Sequence, residues 1–76
     1  MIFEPHDIYL TGNLYNNCIR DESLSEEVWD WLFKHCTDPW LDRFYYHTGY
    51  TPGIGEIHKI RFDYREHSNW FILRWS

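Results

Sequence analysis

The sequence predicts an α+β fold. The expected architecture is a small two-layer sandwich, a three- or four-stranded antiparallel sheet with two helices on one face, in the order β(β)ααββ. Three observations lead there. Residues 1–10 and 56–64 alternate between apolar and polar positions, the period of a strand. Residues 24–36 repeat their apolar positions at helical spacing behind a cap signal. The chain is only 76 residues long, so all of it, 1–76, should form a single domain.

In the first segment Ile2, Glu4, His6, Ile8 and Leu10 share one face of a strand, with Phe3 and Tyr9 on the other. Pro5 cannot donate to a ladder and points to an edge position or a break. Thr11-Gly12-Asn13 is a turn signal. Residues 14–19, LYNNCI, read as strand or loop, with a short helix as the alternative.

The first helix is announced by Ser23-Leu24-Ser25-Glu26, a hydroxyl followed three residues on by a carboxylate. Leu24, Val28, Trp31, Leu32 and His35 fall on one face, and Trp29, Phe33 and Cys36 form a stripe beside it. Asp38-Pro39 would then open a second helix, with Asp38 as N-cap and Pro39 at the first helical position. Its apolar face would be Trp40, Leu41, Phe44 and Tyr45, with His47 in its last turn and Gly49 as its stop. Residues 51–55 are loop, Glu56–Tyr64 a strand, 65–69 a turn, and 70–75 a strand apolar on both faces and so central in the sheet.

Composition narrows the function. Sixteen of the residues are Phe, Trp or Tyr, more than so small a core needs, and aromatics concentrate in interface centres. Net charge is −5 but unevenly spread. Residues 1–42 hold nine acids against two bases, whereas residues 43–76 hold three acids against five bases. The opening MIFEPHDIYL has no basic region and no long apolar run, so no signal peptide is expected, and no stretch has the length of a membrane-spanning helix. Two cysteines, Cys18 and Cys36, are no disulfide framework, and the chain reads as cytoplasmic with reduced thiols.

Several chemistries lack their residues. No phosphate-binding glycine motif is present, for Gly53 and Gly55 follow a proline and precede a strand rather than a helix. Five histidines and two cysteines occur without the short spacings of zinc sites, so neither a metal nor a cofactor is expected. Cys36 lies on an apolar stripe with no nucleophile signature around it.

Two binding surfaces remain. The first is acidic: Asp21, Glu22, Glu26, Glu27 and Asp30, with no base between positions 21 and 30. Trp29, Phe33 and Trp40 are its candidate apolar anchors. Carboxylates in a row can imitate phosphates and occupy a basic channel, with steering that weakens in salt. The second is basic and aromatic: Lys59, Arg61, Arg65 and Arg74 on the expected C-terminal hairpin, beside Phe71 and Trp75. In size and composition the chain resembles the short, acidic, aromatic-rich proteins with which phages and mobile elements disable a host enzyme. That resemblance rests on no motif.

The leading expectation is therefore a non-enzymatic inhibitor or modulator. It would dock its acidic helix on a larger, basic, nucleic-acid-handling protein. A single-strand-binding module using the hairpin is the alternative, and a small metal- or thiol-dependent enzyme is a third. Exposed aromatics or an unpaired edge strand could also join two copies as a homodimer.

Overall fold

The computed structural model describes residues 2–76. Elements follow in the order β1 (Phe3–Tyr9), α1 (Asn13–Cys18), β2 (Ile19–Arg20), β3 (Ser23–Leu24), α2 (Glu26–His35), β4 (Thr37–Asp38), β5 (Leu41–Asp42), β6 (Phe44–Thr51), β7 (Gly55–Tyr64) and α3 (Arg65–Trp75). The fold is α+β. A three-stranded antiparallel sheet in the order β1-β7-β6 is accompanied by two small two-stranded sheets and three helices.

β1 keeps the expected faces, with Ile8 and Leu10 buried and Asp7 and Tyr9 exposed. It lies on an edge, and its register against β7 slips between Phe3 and His6, around Pro5. A missing N–H is harmless there.

α2 follows the pattern as far as Leu32, but His35, expected on the same face, is exposed. Val28 and Leu32 are fully buried, and Trp31 leans on Phe71 and Trp75. Its cap differs from the expectation. Ser25 is the N-cap, and its Oγ accepts a hydrogen bond from the Val28 N–H at 3.4 Å. Ser23 and Leu24 instead pair with Arg20 and Ile19.

Three expectations are overturned. Residues 13–18 are helical rather than extended. Arg20 Nη1 donates to the Asn16 carbonyl at 2.7 Å just beyond the helix, and Asn17 Nδ2 donates across the fold to the Trp75 carbonyl at 2.6 Å, so one local and one tertiary bond support a helix too short to stand alone.

The second helix, over 38–49, is absent. Asp38 pairs with Leu41 across a tight turn holding Pro39 and Trp40, where proline fits the first central position. The Asp38 carboxylate does not cap a helix. It accepts from Arg43 Nε at 2.7 Å and from the Tyr64 hydroxyl at 3.3 Å. Phe44-Tyr45-Tyr46-His47-Thr48 then runs extended, as aromatic and β-branched residues prefer on a pleated surface. His47 is thus a strand residue, not the last turn of a helix.

The C-terminal hairpin is absent too. Residues 65–75 are one helix, α3, with His67, Phe71 and Trp75 buried at successive fourth positions. The remaining apolar residues, Trp70, Ile72 and Leu73, are exposed. β7, not 70–75, is the central strand, and the hairpin is β6–β7, closed by Thr51–Gly55 with Gly53 and Gly55 at positive φ.

The core lies between the sheet and the helices. Ile8, Leu10, Phe44, Ile60 and Phe62 meet Val28, Leu32, Phe71 and Trp75, with both thiols buried among them. Phe62 and Phe71 sit 5.5 Å apart, ring to ring. Arg43 ties the lower end together. It reaches Asp38 at 2.7 Å and the buried Asp63 at 3.5 Å, and its guanidinium lies 5.6 Å from the Tyr64 ring. The hydrogen bond from Arg43 holds the Asp38 carboxyl below the usual carboxylate range.

His67 is buried between Tyr64 and Trp70, and its Nδ1 makes no hydrogen bond among the described residues. Burial holds this imidazole below its ordinary value, against the opposing pull of Asp38, Glu66 and Asp63. The folded state thus binds fewer protons here than the unfolded chain. Stability is complete above the unfolded value, about 6.5, and declines as pH falls below it. Melting temperature should drop between pH 7.5 and 5.5, and His67→Phe should flatten that drop. An unchanged slope in the variant would show that His67 is not the group responsible.

Candidate functional site

The acidic residues come from a turn and the helix that follows it. β2 and β3 are joined by the two-residue turn Asp21-Glu22, and both residues have positive φ, 51° and 67°. A turn of this hand matches strand twist but suits Asn-Gly. An L-residue with a Cβ loses roughly 1–2 kcal/mol in that conformation. The turn so built carries two adjacent carboxylates, both exposed.

On α2, Glu26 and Asp30 stand one turn apart on the solvent side, with Phe33 next along the same stripe. Asp21, Glu22, Glu26, Glu27 and Asp30 are all exposed. Glu27 reaches Arg74 of α3 at 4.0 Å. The other four have no basic partner within that distance among the described residues.

The anchors are distributed differently from the acids. Phe33 is 49% exposed, stacked on Trp29 at 5.7 Å and edge-on to Phe44 at 5.2 Å. Trp29 is half-buried and faces Tyr46 and Phe44, so much of its surface already belongs to the α2–β6 contact. Trp40 is 93% exposed, at the tip of the β4–β5 turn rather than on a helix, with exposed Leu41 beside it.

The basic surface is not assembled as expected, because its second half is helical. Lys59 and Arg61 project from the face of β7 opposite the buried Ile60 and Phe62. Arg65 and Arg74 lie on α3, whose Phe71 packs against Phe62 on the inner face. Phe71 and Trp75 are buried, and neither is available as a stacking surface. Lys59 meets Asp7 at 3.4 Å, Arg65 meets Glu4 at 3.6 Å, and Arg74 meets Glu27. Arg61 alone of these four has no acidic partner among the described residues.

The open face of the sheet is not visible in the sequence, because the spacing of Trp40, Leu41, Phe44 and Tyr45 predicts a helix that takes in Tyr45 and His47. Alternation in β6 and β7 now places Tyr45 and His47 with Lys59 and Arg61, and Tyr9 joins them from β1. A shallow hollow of about 280 Å³ lies there, between Tyr9, His47, Tyr50, Ile57 and Lys59.

Cys18 and Cys36 are unpaired and fully buried, and burial pushes them up to about 11 and about 12. Neither is a thiolate near neutrality. Among the described residues no three His, Cys, Asp or Glu side chains converge on a possible metal position. No helix among them is long and apolar enough to cross a membrane. No protein-family model matches the chain, and no characterised protein or solved structure is significantly similar to it.

Proposed function

We propose that the protein is a non-enzymatic binding protein that presents Asp21, Glu22, Glu26 and Asp30 to a larger, basic partner, with Phe33 as the apolar contact. One observation carries this reading. The four carboxylates are exposed and have no basic partner among the described residues, while four of the five bases in residues 43–76 are already held in ion pairs. The net charge of −5 is therefore felt most strongly at one place. Such a surface suits a channel built to receive phosphates. Inhibition or modulation of a nucleic-acid-handling protein is the activity that fits it. A reducing, cytoplasmic setting suits two unpaired thiols.

The strained turn supplies a clean test. Asp21→Asn with Glu22→Gly removes two charges while placing the preferred pair in the turn, and should raise stability by about 1 kcal/mol. Glu26→Gln with Asp30→Asn removes the other two. Immobilised wild-type protein should retain a basic protein from nuclease-treated bacterial lysate and release it in high salt. Each double variant should retain it about tenfold less well, the loss of about 1.4 kcal/mol. Equal retention by all three, or indifference to salt, would overturn the reading. The turn variant should fold at least as well as wild type, which thermal unfolding checks, so that a loss of binding is separated from misfolding.

A second reading has its own observation, the open sheet face that joins Tyr9 and Tyr45 with Lys59 and Arg61. Those residue types stack on bases and hold phosphates. A labelled single strand shifted at low salt, and shifted less by Arg61→Ala, would favour it over the acidic surface.

A further inference from the structure

The main sheet has two edges, and they are built differently. β1 carries Glu4, Pro5 and Asp7 and a slip in register. Those are devices that keep a strand from accepting a neighbour. β6 has none of them. Phe44–Thr51 contains no Asp, Glu, Lys, Arg or Pro, and its register with β7 runs unbroken from Phe44↔Phe62 to Thr51↔Gly55. Among the described residues no strand lies on its other side.

Two backbone bonds fix which groups face that edge. The Asp63 N–H donates to the Arg43 carbonyl at 3.1 Å, which puts positions 43 and 63 in phase with the hydrogen-bonded pairs of the ladder, although the Arg43 N–H itself turns to the Cys36 carbonyl. Such pairs alternate along an antiparallel ladder. Tyr45, His47 and Gly49 therefore direct their N–H and C=O groups to β7, and Phe44, Tyr46, Thr48 and Tyr50 direct theirs outward. The Leu10 N–H donates to the His58 carbonyl at 2.9 Å, which turns the even residues of β7 toward β1, as the same alternation requires. None of the four outward residues of β6 takes part in the backbone bonds formed outside the helices and ladders.

We propose that this edge pairs with the same edge of a second copy of the chain, β6 against β6, about a two-fold axis at His47. The two three-stranded sheets then form one six-stranded sheet. The register is constrained. Outward-facing residues must meet outward-facing residues, so even positions pair with even positions. An axis at His47 sets Phe44 opposite Tyr50 and Tyr46 opposite Thr48, and every outward group of Phe44–Tyr50 finds a partner. An axis at Tyr46 leaves Tyr50 without one, and an axis at Thr48 leaves Phe44 without one. Paired residues share a face, so the helices of both copies lie on the same side of the joined sheet.

The side chains favour a second copy over an unrelated strand. Tyr50, 73% exposed in the single chain, comes to lie opposite Phe44, whose ring is already buried under Trp29 and the half-exposed Phe33. On the open face Tyr45 lies across Gly49, an arrangement in which an aromatic ring covers the bare backbone of a glycine. Within one copy nothing calls for glycine at position 49. Its φ is not in the left-handed region, and an added Cβ would meet no atom within 4 Å. The ring of the partner's Tyr45 supplies the missing reason. Growth stops at two copies because the β1 edge is blocked.

Sedimentation equilibrium across a concentration series tests this. The wild-type chain should approach twice its 9.5 kDa mass as concentration rises. Thr48→Pro removes an outward N–H and leaves the β6–β7 bonds intact, and Thr48→Lys places a charge on the edge. Gly49→Val fills the space that Tyr45 of the partner needs. Each should weaken dimerisation at least about tenfold while circular dichroism stays that of a folded chain. A wild-type mass of 9.5 kDa up to about millimolar concentration would overturn the proposal. So would a dimer that all three variants form equally well, or a series of species that keeps growing beyond two copies.

Discussion

Phe71→Ala is expected to lower the melting temperature by roughly 20 °C. The ring is fully buried, 5.5 Å from Phe62 and 6.0 Å from Trp31, and joins α3 to both the sheet and α2. Truncating a buried phenylalanine costs about 3–5 kcal/mol, and in a domain of this size each kcal/mol moves the midpoint by about 4–8 °C. Total stability is on the order of 4–11 kcal/mol for a chain this short, so a large part of the population would unfold at 37 °C. Phe71→Leu retains most of the volume and should cost much less. Thermal unfolding followed by circular dichroism measures both. A loss under about 5 °C for the alanine variant would mean that α3 is not packed as described.

Proline substitution at neighbouring positions of β6 should have opposite outcomes. The His47 N–H points toward β7, where its opposite residue is Lys59. His47→Pro therefore breaks a ladder bond and leaves a carbonyl unpaired, for a loss of about 3 kcal/mol. Thr48→Pro loses only an N–H that faces outward, and should stay within about 1 kcal/mol of wild type in the monomer. Denaturant titration at low protein concentration separates the two. Equal losses at 47 and 48 would refute the assigned alternation of bonds, and with it the register proposed for the paired strands.

These contrasts mark where local sequence information is decisive and where it is not. β1, α2 and β7 were legible because each has one buried face, and burial imposes the period of the element on the sequence. Pro5 correctly marks an edge because the missing N–H has only one harmless orientation. Residues 38–49 were misleading. Trp40, Leu41, Phe44 and Tyr45 satisfy a helical spacing, yet Phe44 and Tyr46 satisfy an alternating one equally well. What separates them is long-range: β6 pairs with β7 along its whole length, and the Asp38 carboxylate that would cap a helix is taken by Arg43 and by Tyr64, far along the chain. α3 was hidden because its exposed face carries Trp70, Ile72 and Leu73. An apolar outer surface erases the period that a solvated helix would show.

The candidate site divides the same way. Exposure of the carboxylates followed from their charge alone. The basic hairpin surface is lost because residues 65–75 are helical, and the open sheet face exists because Tyr45 and His47 lie on a strand. Trp29 and Trp40 illustrate the limit of composition. The same residue type is a half-buried wall in one place and a bare turn tip in the other, and only the fold distinguishes them.

The pairing of the first strand with the last one governs the order in which the chain acquires its structure. Ile8 lies opposite Ile60, so joining β1 to β7 closes a loop of about fifty residues, whereas β6 and β7 meet across one short turn. The long closure costs about 2 kcal/mol more in chain entropy. The expected nucleus is therefore the β6–β7 hairpin, with φ values high at Ile60 and Tyr46 and low at Ile8. Uniformly high values including Ile8 would contradict that order. During synthesis the N-terminal strand must wait for most of the chain to be made before it has anything to pair with. Through that interval the nascent chain holds its acidic segment and its future core together without a sheet, and it depends on the last thirty residues to complete the fold.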